Sequence, residues 1–131
     1  MSNRRKLYGR SGYRTDFLRS PAWFARRDRW FRKQERSGAP LACVACGRTA
    51  TQRQLELHHV DYAGVHVAKD GSWRAFEPHH DLLPLHPYCH ELVHRLIDRD
   101  LVLSRHRSRR AATEFALQRV REKLIAQEGT S

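Results

Sequence analysis

The chain has 131 residues and a formal net charge of +11. That length suits one compact domain with a modest core, and no apolar run approaches the ~20 residues of a membrane-spanning helix. The basic N-terminal stretch lacks the apolar core of a signal peptide, and an odd number of cysteines with a C-x-x-C pair argues against a secreted disulfide scaffold and favours a metal site in the cytoplasm.

The positive charge is concentrated towards the two ends of the chain. Residues 1–36 carry twelve Lys or Arg against three Asp or Glu, whereas residues 37–94 carry four against six and residues 95–131 carry nine against five. A strongly basic chain most often binds a polyanion such as nucleic acid. Most of these cations are Arg, which suits bidentate phosphate contacts.

Residues 1–37 are predicted to be a basic arm followed by a helix. Ser20 can cap this helix, Pro21 takes its first position, and the helix is expected to end at about Arg36. Aromatic residues recur at a seven-residue interval and predict a core-facing side formed by Trp23, Phe24, Trp30 and Phe31. The opposite side carries Arg26, Arg29, Arg32 and Lys33.

Residues 38–98 are predicted to form the core that carries the metal-ligand motifs. A strand is expected from Gln54 to Val60, and the Asp70-Gly71 pair between two apolar-containing runs predicts a hairpin. The stretch 77–87 is expected to be a loop or a short extended piece, and a helix should follow from Tyr88 to about Asp98.

Residues 99–131 are predicted to be a basic connector and a C-terminal helix. The helix is expected from Ala111 to about Gln127, with one apolar side formed by Ala116, Leu117, Val120 and Leu124. The whole chain, 1–131, is thus predicted to be a single domain in which a mixed core is flanked by a helix at each end.

Two knuckles have the ligand spacing of a closed zinc site. Cys43-x-x-Cys46 and His86-x-x-Cys89 each place two donors where one ion can be held, and turn residues flank both pairs. Three thiolates with one imidazole are a common structural zinc site, and such a site contributes on the order of 10 kcal/mol to the folding of zinc-finger peptides. The sequence therefore predicts a structural Zn²⁺ at these four residues.

A group of histidines predicts a second, open metal site. His90 and His94 are four residues apart on the predicted helix, so both project from the same side. His58 can supply a third ligand, and three protein ligands with open positions are typical of a catalytic metal rather than a structural one. The neighbouring His59 is then left to accept a proton from water near the ion.

In combination these motifs resemble those of the HNH endonucleases, in particular the small bacterial and phage members. The likeness runs from Cys43 to His94 as C-x-x-C, then LELHHVDY, then E-x3-DLLPLHPYCHELVH, and Trp23 fits the Trp-containing helix that often precedes this core. It implies an α+β chain with the ββα-metal fold and a structural zinc. It also implies metal-dependent hydrolysis of DNA phosphodiester bonds in a bacterial or phage-infected cell.

The resemblance further implies roles for individual residues. His59 would be the general base, and the catalytic divalent ion (Mg²⁺, Mn²⁺, Ni²⁺, Co²⁺ or Zn²⁺) would be held by His58, His90 and His94. Asp81 matches the middle position of the family pattern and would brace the loop that orients His59. The structural zinc would lie at Cys43, Cys46, His86 and Cys89.

The chain departs from the family pattern at two places. His86 stands where the family has its third zinc-binding cysteine, and the stretch between His59 and Asp81 is lengthened by the predicted hairpin. Glu77 matches an acidic position of the pattern, but it has no predicted role beyond that of a solvated loop charge.

DNA is the predicted partner, and the basic flanks are the predicted contact surfaces. Candidate phosphate-binding residues are Arg26, Arg29, Arg105, Arg107, Arg109 and Arg110. Because no base-reading module is recognisable, we expect low sequence preference, from either a monomer or a homodimer.

Two other functions would use the same features. A non-catalytic zinc-containing protein that binds DNA or RNA would keep the zinc knuckles and the basic flanks, but it gives no reason for the coincidence of four histidines around the second site. A toxin or effector nuclease would share the chemistry and differ only in its biological role.

Overall fold

A computed structural model describes residues 15–99 and 108–129 of the chain. Its main helices are α1 (Pro21–Ser37), α2 (Pro87–Arg99) and α3 (Arg109–Gly129), and its strands are β1 (Glu56–His59), β2 (Val65–Val67), β3 (Trp73–Ala75) and β4 (Leu82–Leu85). Short 3-10 helices at Gln52–Gln54 and His79–Asp81 precede β1 and β4. None of the helices in these two ranges has the length and apolar character to cross a membrane.

The strands form two small antiparallel sheets. β1 pairs with β4, so that His58 lies opposite Leu83 and His59 lies opposite Leu82, and β2 pairs with β3. The chain is therefore an α+β fold, as the sequence predicts. In chain order, the β2–β3 hairpin lies between β1 and β4, the two strands of the other sheet. Gly71, with a φ of 83°, forms the predicted hairpin turn.

Helix α1 begins and ends as its sequence predicts. The Ser20 hydroxyl oxygen accepts a hydrogen bond of 3.2 Å from the backbone N–H of Trp23, and Gly38 ends the helix in the left-handed conformation. Of the predicted aromatic side, Phe24 is the exception, because it is 54% exposed. Neighbouring residues on a helix point about 100° apart, and the core covers only one side of α1.

One cluster of buried side chains joins the helices to the sheets. α1 packs against β3, α2 packs against α3, and α2 also contacts both strands of the β1–β4 sheet. The cluster includes Trp30 from α1, Leu57 from β1, Leu85 from β4, Val93 from α2 and Val120 from α3. These contacts bring the ends of β1 and the first turns of α2 and α3 to one place.

Residues 82–85 form a strand, which agrees with the second of the two alternatives, a loop or a short extended piece, that the sequence leaves open. Pro84 obscures the strand pattern because proline lacks a backbone N–H. Its carbonyl is used instead, since it accepts a hydrogen bond of 3.0 Å from the backbone N–H of Val44. That bond ties the first cysteine knuckle to β4.

Candidate metal centres

The structure brings together Cys43, Cys46, His86 and Cys89. Their ligand atoms all lie within 4.8 Å of one another, and Cys46 Sγ is 3.3 Å from His86 Nδ1. A sulfur and a nitrogen that bind one tetrahedral zinc ion lie about 3.5 Å apart, so the 3.3 Å between Cys46 and His86 is close to the separation of two ligands. None of the three cysteines forms a disulfide. These four residues could therefore hold a metal ion such as zinc in a closed site.

The ionisation of the thiols also fits a site for a cation. Burial raises the pKa of Cys43, but hydrogen bonds from the backbone N–H groups of Cys46 and His86 outweigh burial and lower the pKa to about 7. Burial and the neighbouring charges of Cys43 and Cys46 raise the pKa of Cys89 to about 12. Three thiolates this close together need a cation to offset their charge, because thiolates repel one another.

The second cluster consists of His58 from β1 and His90 and His94 from α2. Their ligand atoms also lie within 4.8 Å of one another. Nε2 of His90 is 3.2 Å from Nδ1 of His58 and 3.0 Å from Nε2 of His94. The described residues supply three donors here and not four, so this site is open where the cysteine site is closed.

The nitrogen separations suit a single metal ion. Two nitrogens that each lie about 2.0–2.1 Å from one ion are about 2.9 Å apart at a right angle and about 3.3 Å apart at the tetrahedral angle. The separations of 3.2 Å between His58 and His90 and of 3.0 Å between His90 and His94 fall within that range. Burial, followed by the charge of Arg109, lowers the pKa of His58 to about 2, so its imidazole stays neutral, as metal ligation requires.

The other ring nitrogens of two of these histidines have hydrogen-bond partners. Nε2 of His58 is 2.9 Å from the Thr113 hydroxyl, and Nδ1 of His90 is 2.9 Å from a carboxylate oxygen of Glu56. An N–H at each of these positions leaves a lone pair on the opposite nitrogen, the one that faces the cluster. Metal-ligating histidines are held in this way by their outer neighbours.

His59 lies in a different environment from His58. It is only 2% exposed, its ring stacks on Tyr62 at 4.4 Å between centroids, and the ring of Trp23 is 4.7 Å away. Successive side chains of a strand point to opposite sides, which separates the two rings. His59 is therefore not a member of the three-histidine cluster, and its ring is held in an aromatic pocket.

Glu77 occupies a position that the sequence interpretation did not anticipate. It is 2% exposed rather than solvated, and its Oε2 lies 2.7 Å from Nε2 of His59. Burial lowers the pKa of His59, and the hydrogen bond and charge of Glu77 oppose that shift. The interpretation of Glu77 as a solvated loop charge is thus wrong.

Asp81 contacts the histidine segment through its backbone. Its carbonyl accepts a hydrogen bond of 2.9 Å from the backbone N–H of Val60, the residue that follows His59. Its carboxylate pairs with Arg110 of α3. The side chain that touches His59 is therefore that of Glu77 and not that of Asp81.

The predicted DNA-contacting arginines fall into four groups. Arg26 is only 9% exposed, and its Nε–H donates to the Glu77 carbonyl at 2.9 Å, so it differs from the expected exposed phosphate ligand. Arg109 and Arg110 are half-buried on α3 beside His59 and Asp81, whereas Arg29 is exposed on α1. Arg105 and Arg107 lie outside the described residues.

The comparisons with known proteins assign this chain to no family. No protein-family model, no curated protein and no solved structure matches it. The interpretation of the site therefore depends on the geometry of the residues themselves.

Sequence reasoning missed three residues of the site, namely Glu56, Glu77 and Thr113. Thr113 alone carried a usable signal, because it lies three and four residues before Ala116 and Leu117 and so belongs to the apolar side of α3. A polar residue on a core-facing side needs a partner. Glu77 lies in a segment without periodicity, and Glu56 alternates with the apolar residues of β1 as any exposed strand residue does.

Proposed function

We propose that this protein is a metal-dependent endonuclease that hydrolyses DNA phosphodiester bonds, as its resemblance to the HNH endonucleases implies. The observation that carries the proposal is the convergence of His58, His90 and His94, with Nε2 of His90 3.2 Å from the first and 3.0 Å from the third and no fourth protein donor among the described residues. An ion held by these three imidazoles would leave room for a phosphate and for water.

In this proposal β1, β4 and α2 form a ββα-metal core. Only His86 separates β4 from α2, so Cys89 and His90 follow within the first turn of the helix. Neighbouring helical side chains point about 100° apart, and α2 can therefore contribute Cys89 to a structural zinc and His90 to the catalytic ion. One short helix then fixes the two metal centres relative to each other.

The chemistry divides between the ion and the chain. When bound, a divalent ion at the three histidines supplies Lewis-acid stabilisation of the phosphate and of the leaving oxygen. His59 takes a proton from the attacking water, whose oxygen forms a bond to phosphorus while the bond from phosphorus to the 3′ oxygen breaks. The leaving oxygen takes a proton from solvent, and His59 then returns its own proton to solvent.

Arg109 links the two histidine environments. Its Nε–H donates to the His59 carbonyl at 2.7 Å, and its guanidinium lies over the Tyr62 ring. Its positive charge lowers the pKa of both His58 and His59, after burial, which is the larger cause in each case. A guanidinium at this place can stabilise the negative charge of a phosphate that enters the site.

DNA binding is assigned to the exposed cations of α1. One concave surface of the molecule is lined by Arg26, Arg29, Arg32, Lys33 and Arg36. Their charges are not neutralised by acidic neighbours in that lining, which suits contacts to successive phosphates. The set proposed for backbone contact is therefore the exposed cations of α1 rather than the buried Arg26.

One observation favours the alternative of a DNA- or RNA-binding protein without catalysis. His59 is 2% exposed, whereas a general base must come within hydrogen-bond reach of its water. In the nuclease, entry of DNA and of the ion must therefore open a path to the ring. The alternative needs no such path, and the two functions predict opposite results in a cleavage assay.

The test is cleavage of supercoiled plasmid by purified protein with Mg²⁺, Mn²⁺ or Ni²⁺, or with no added ion. Wild type should nick or linearise the plasmid only with an added ion, and His59→Ala should be slower by about 10²–10⁴-fold because a general base typically contributes that much. His66→Ala, a substitution of an exposed hairpin histidine, is the matched control and should cut at the wild-type rate. Binding without cleavage under every ion would support the alternative instead.

A further inference from the structure

The Glu77 side chain is fully enclosed, and its one hydrogen-bond partner among residues 15–99 and 108–129 is His59. We propose that Glu77 is the positioning residue of His59 and that its carboxylate accepts the Nε2–H, which holds the ring in the tautomer whose lone pair is on Nδ1. This inference rests on the proposed function, in which His59 receives a proton.

The first support is the cost of placing a carboxylate there. A buried charge is costly unless it is paired and hydrogen-bonded. Oε2 of Glu77 is 2.7 Å from His59, while Oε1 is buried without a hydrogen-bond partner among the described residues. A buried carboxylate with a hydrogen bond to only one of its oxygens contributes little to the stability of the fold. A role in the site therefore explains why Glu77 is at this position better than packing does.

The second support is the way in which the Glu77 backbone is fixed. The Nε–H of Arg26 donates to the Glu77 carbonyl at 2.9 Å, and the backbone N–H of Phe76 donates to the Gly64 carbonyl at 2.8 Å. A Cβ on Gly64 would lie 2.6 Å from the Glu77 nitrogen. The backbone at Gly64 and the backbone at Glu77 are therefore so close that only glycine fits between them. The carboxylate is thus presented from a backbone held on two sides.

Arg26 also offsets the charge of the carboxylate. Burial lowers the pKa of Arg26, and the negative charge of Glu77 opposes that shift. The chain of contacts therefore runs from Arg26 on α1 through Glu77 to His59 on β1. Each member restricts the next, as a preorganised site requires.

The third support is the confinement of the His59 ring. Its stacking on Tyr62, with planes 8° apart, and its contact with Trp23 prevent the ring from turning over without disturbing the core. A neutral imidazole has one N–H and one lone pair, so donation from Nε2 leaves Nδ1 as the acceptor. When Nδ1 takes the proton of water, both nitrogens carry hydrogen, and the carboxylate stabilises the imidazolium.

The inference is tested first without any substitution. The ¹⁵N spectrum of histidine-labelled, metal-loaded wild-type protein should show His59 as the Nε2–H tautomer, assigned by its loss in His59→Ala. A wild-type His59 with its proton on Nδ1 would overturn the inference. This readout does not depend on cleavage.

The second arm substitutes Glu77→Gln, whose amide can accept or donate a hydrogen bond and so fixes neither tautomer. We expect cleavage to slow by about 10²-fold or more, within the contribution of a general base, with DNA affinity, zinc content and melting temperature near those of wild type. Glu91→Gln, the same chemical change at an exposed residue of α2, should leave the rate unchanged.

The third arm is a double variant. Because Glu77 acts through His59, the variant with both His59→Ala and Glu77→Gln should be no slower than His59→Ala alone. Rate losses that multiply would overturn the inference, as would a wild-type rate for Glu77→Gln. If wild type cuts DNA with no ion at all, the proposed function fails, and the tautomer alone then decides whether Glu77 holds the ring.

Discussion

The Thr113 hydroxyl lies 2.9 Å from Nε2 of His58, although the two residues are 55 positions apart in the chain. Thr113 is on α3, and His58 is on β1. The contact makes the C-terminal helix part of the three-histidine site, because the nitrogen that it occupies determines which nitrogen of His58 is left for an ion. A helix that the sequence presents as a flanking element thus supplies a hydrogen-bond partner of a candidate metal ligand.

Replacing Thr113 by Val should weaken ion binding at the open site. Valine keeps the shape of threonine and removes the hydroxyl, so Nε2 of His58 loses its partner and the ring loses its fixed tautomer. We expect the dissociation constant for Mn²⁺ or Ni²⁺ to rise about 10–100-fold, as measured by calorimetric titration. Thr113→Ser keeps the hydroxyl and should stay within a few-fold of wild type. Equal affinities for Val and wild type would contradict the prediction.

Loss of the cysteine site should unfold the protein, whereas loss of the histidine site should not. A structural zinc contributes on the order of 10 kcal/mol, which is comparable to the whole stability of a domain of about 5–15 kcal/mol. Cys89→Ala should therefore lose its zinc, measured by elemental analysis, and its cooperative thermal transition, measured by circular dichroism. His94→Ala should keep both. A cooperative, zinc-free Cys89→Ala protein would show that the cluster is not structural.

Replacing Gly64 by Ala should displace Glu77. The new Cβ would lie 2.6–2.7 Å from backbone atoms of Phe76 and Glu77, which cannot move as a flexible side chain would. We expect the free energy of unfolding to fall by about 1–3 kcal/mol in urea denaturation and the cleavage rate to fall as well.

Gly71→Ala provides the comparison for that variant. Its φ of 83° strains any other residue, so stability should fall by about 1–2 kcal/mol, but no atom lies within 4 Å of its new Cβ. Its cleavage rate should equal that of wild type. A similar loss of rate in both glycine variants would mean that general destabilisation, and not the position of Glu77, is responsible.

The exposed cations of α1 should determine the salt dependence of DNA binding. Each phosphate contact contributes about −0.9 to the slope of log K against log salt concentration, so replacing Arg29, Arg32 and Arg36 by Gln should make the slope less negative by about 2.7. Fluorescence anisotropy with a labelled duplex between 50 and 200 mM salt measures it. The control replaces Arg95, Arg119 and Lys123, which line the groove between α2 and α3. Equal changes in both variants would point to net charge rather than to a contact surface.

The local elements and the ligand pairs could be predicted from the sequence because each depends on residues close together in the chain. Ser20 and Gly38 bound α1 through bonds within one helical turn. The Cys43–Cys46 and His90–His94 pairs are set by the geometry of a knuckle and of a helix, so their spacing alone indicates ligation. The α+β class follows from the same local patterns.

The environment of each histidine could not be predicted in that way. Which ring faces the cluster, and which lies in an aromatic pocket, depends on the pairing of β1 with β4 and on the elements packed above each side of that sheet. Glu77, which was expected to be a surface charge, is buried and pairs with His59. Arg26, which was expected to bind phosphate, is buried and donates a hydrogen bond to the Glu77 carbonyl. The sequence by itself determined the spaced donor pairs of both candidate metal centres, whereas the tertiary structure decided the surroundings of His58 and His59 and the outer neighbours of the donors, because hydrogen bonds between distant segments are specified by packing and leave no periodic trace in the chain.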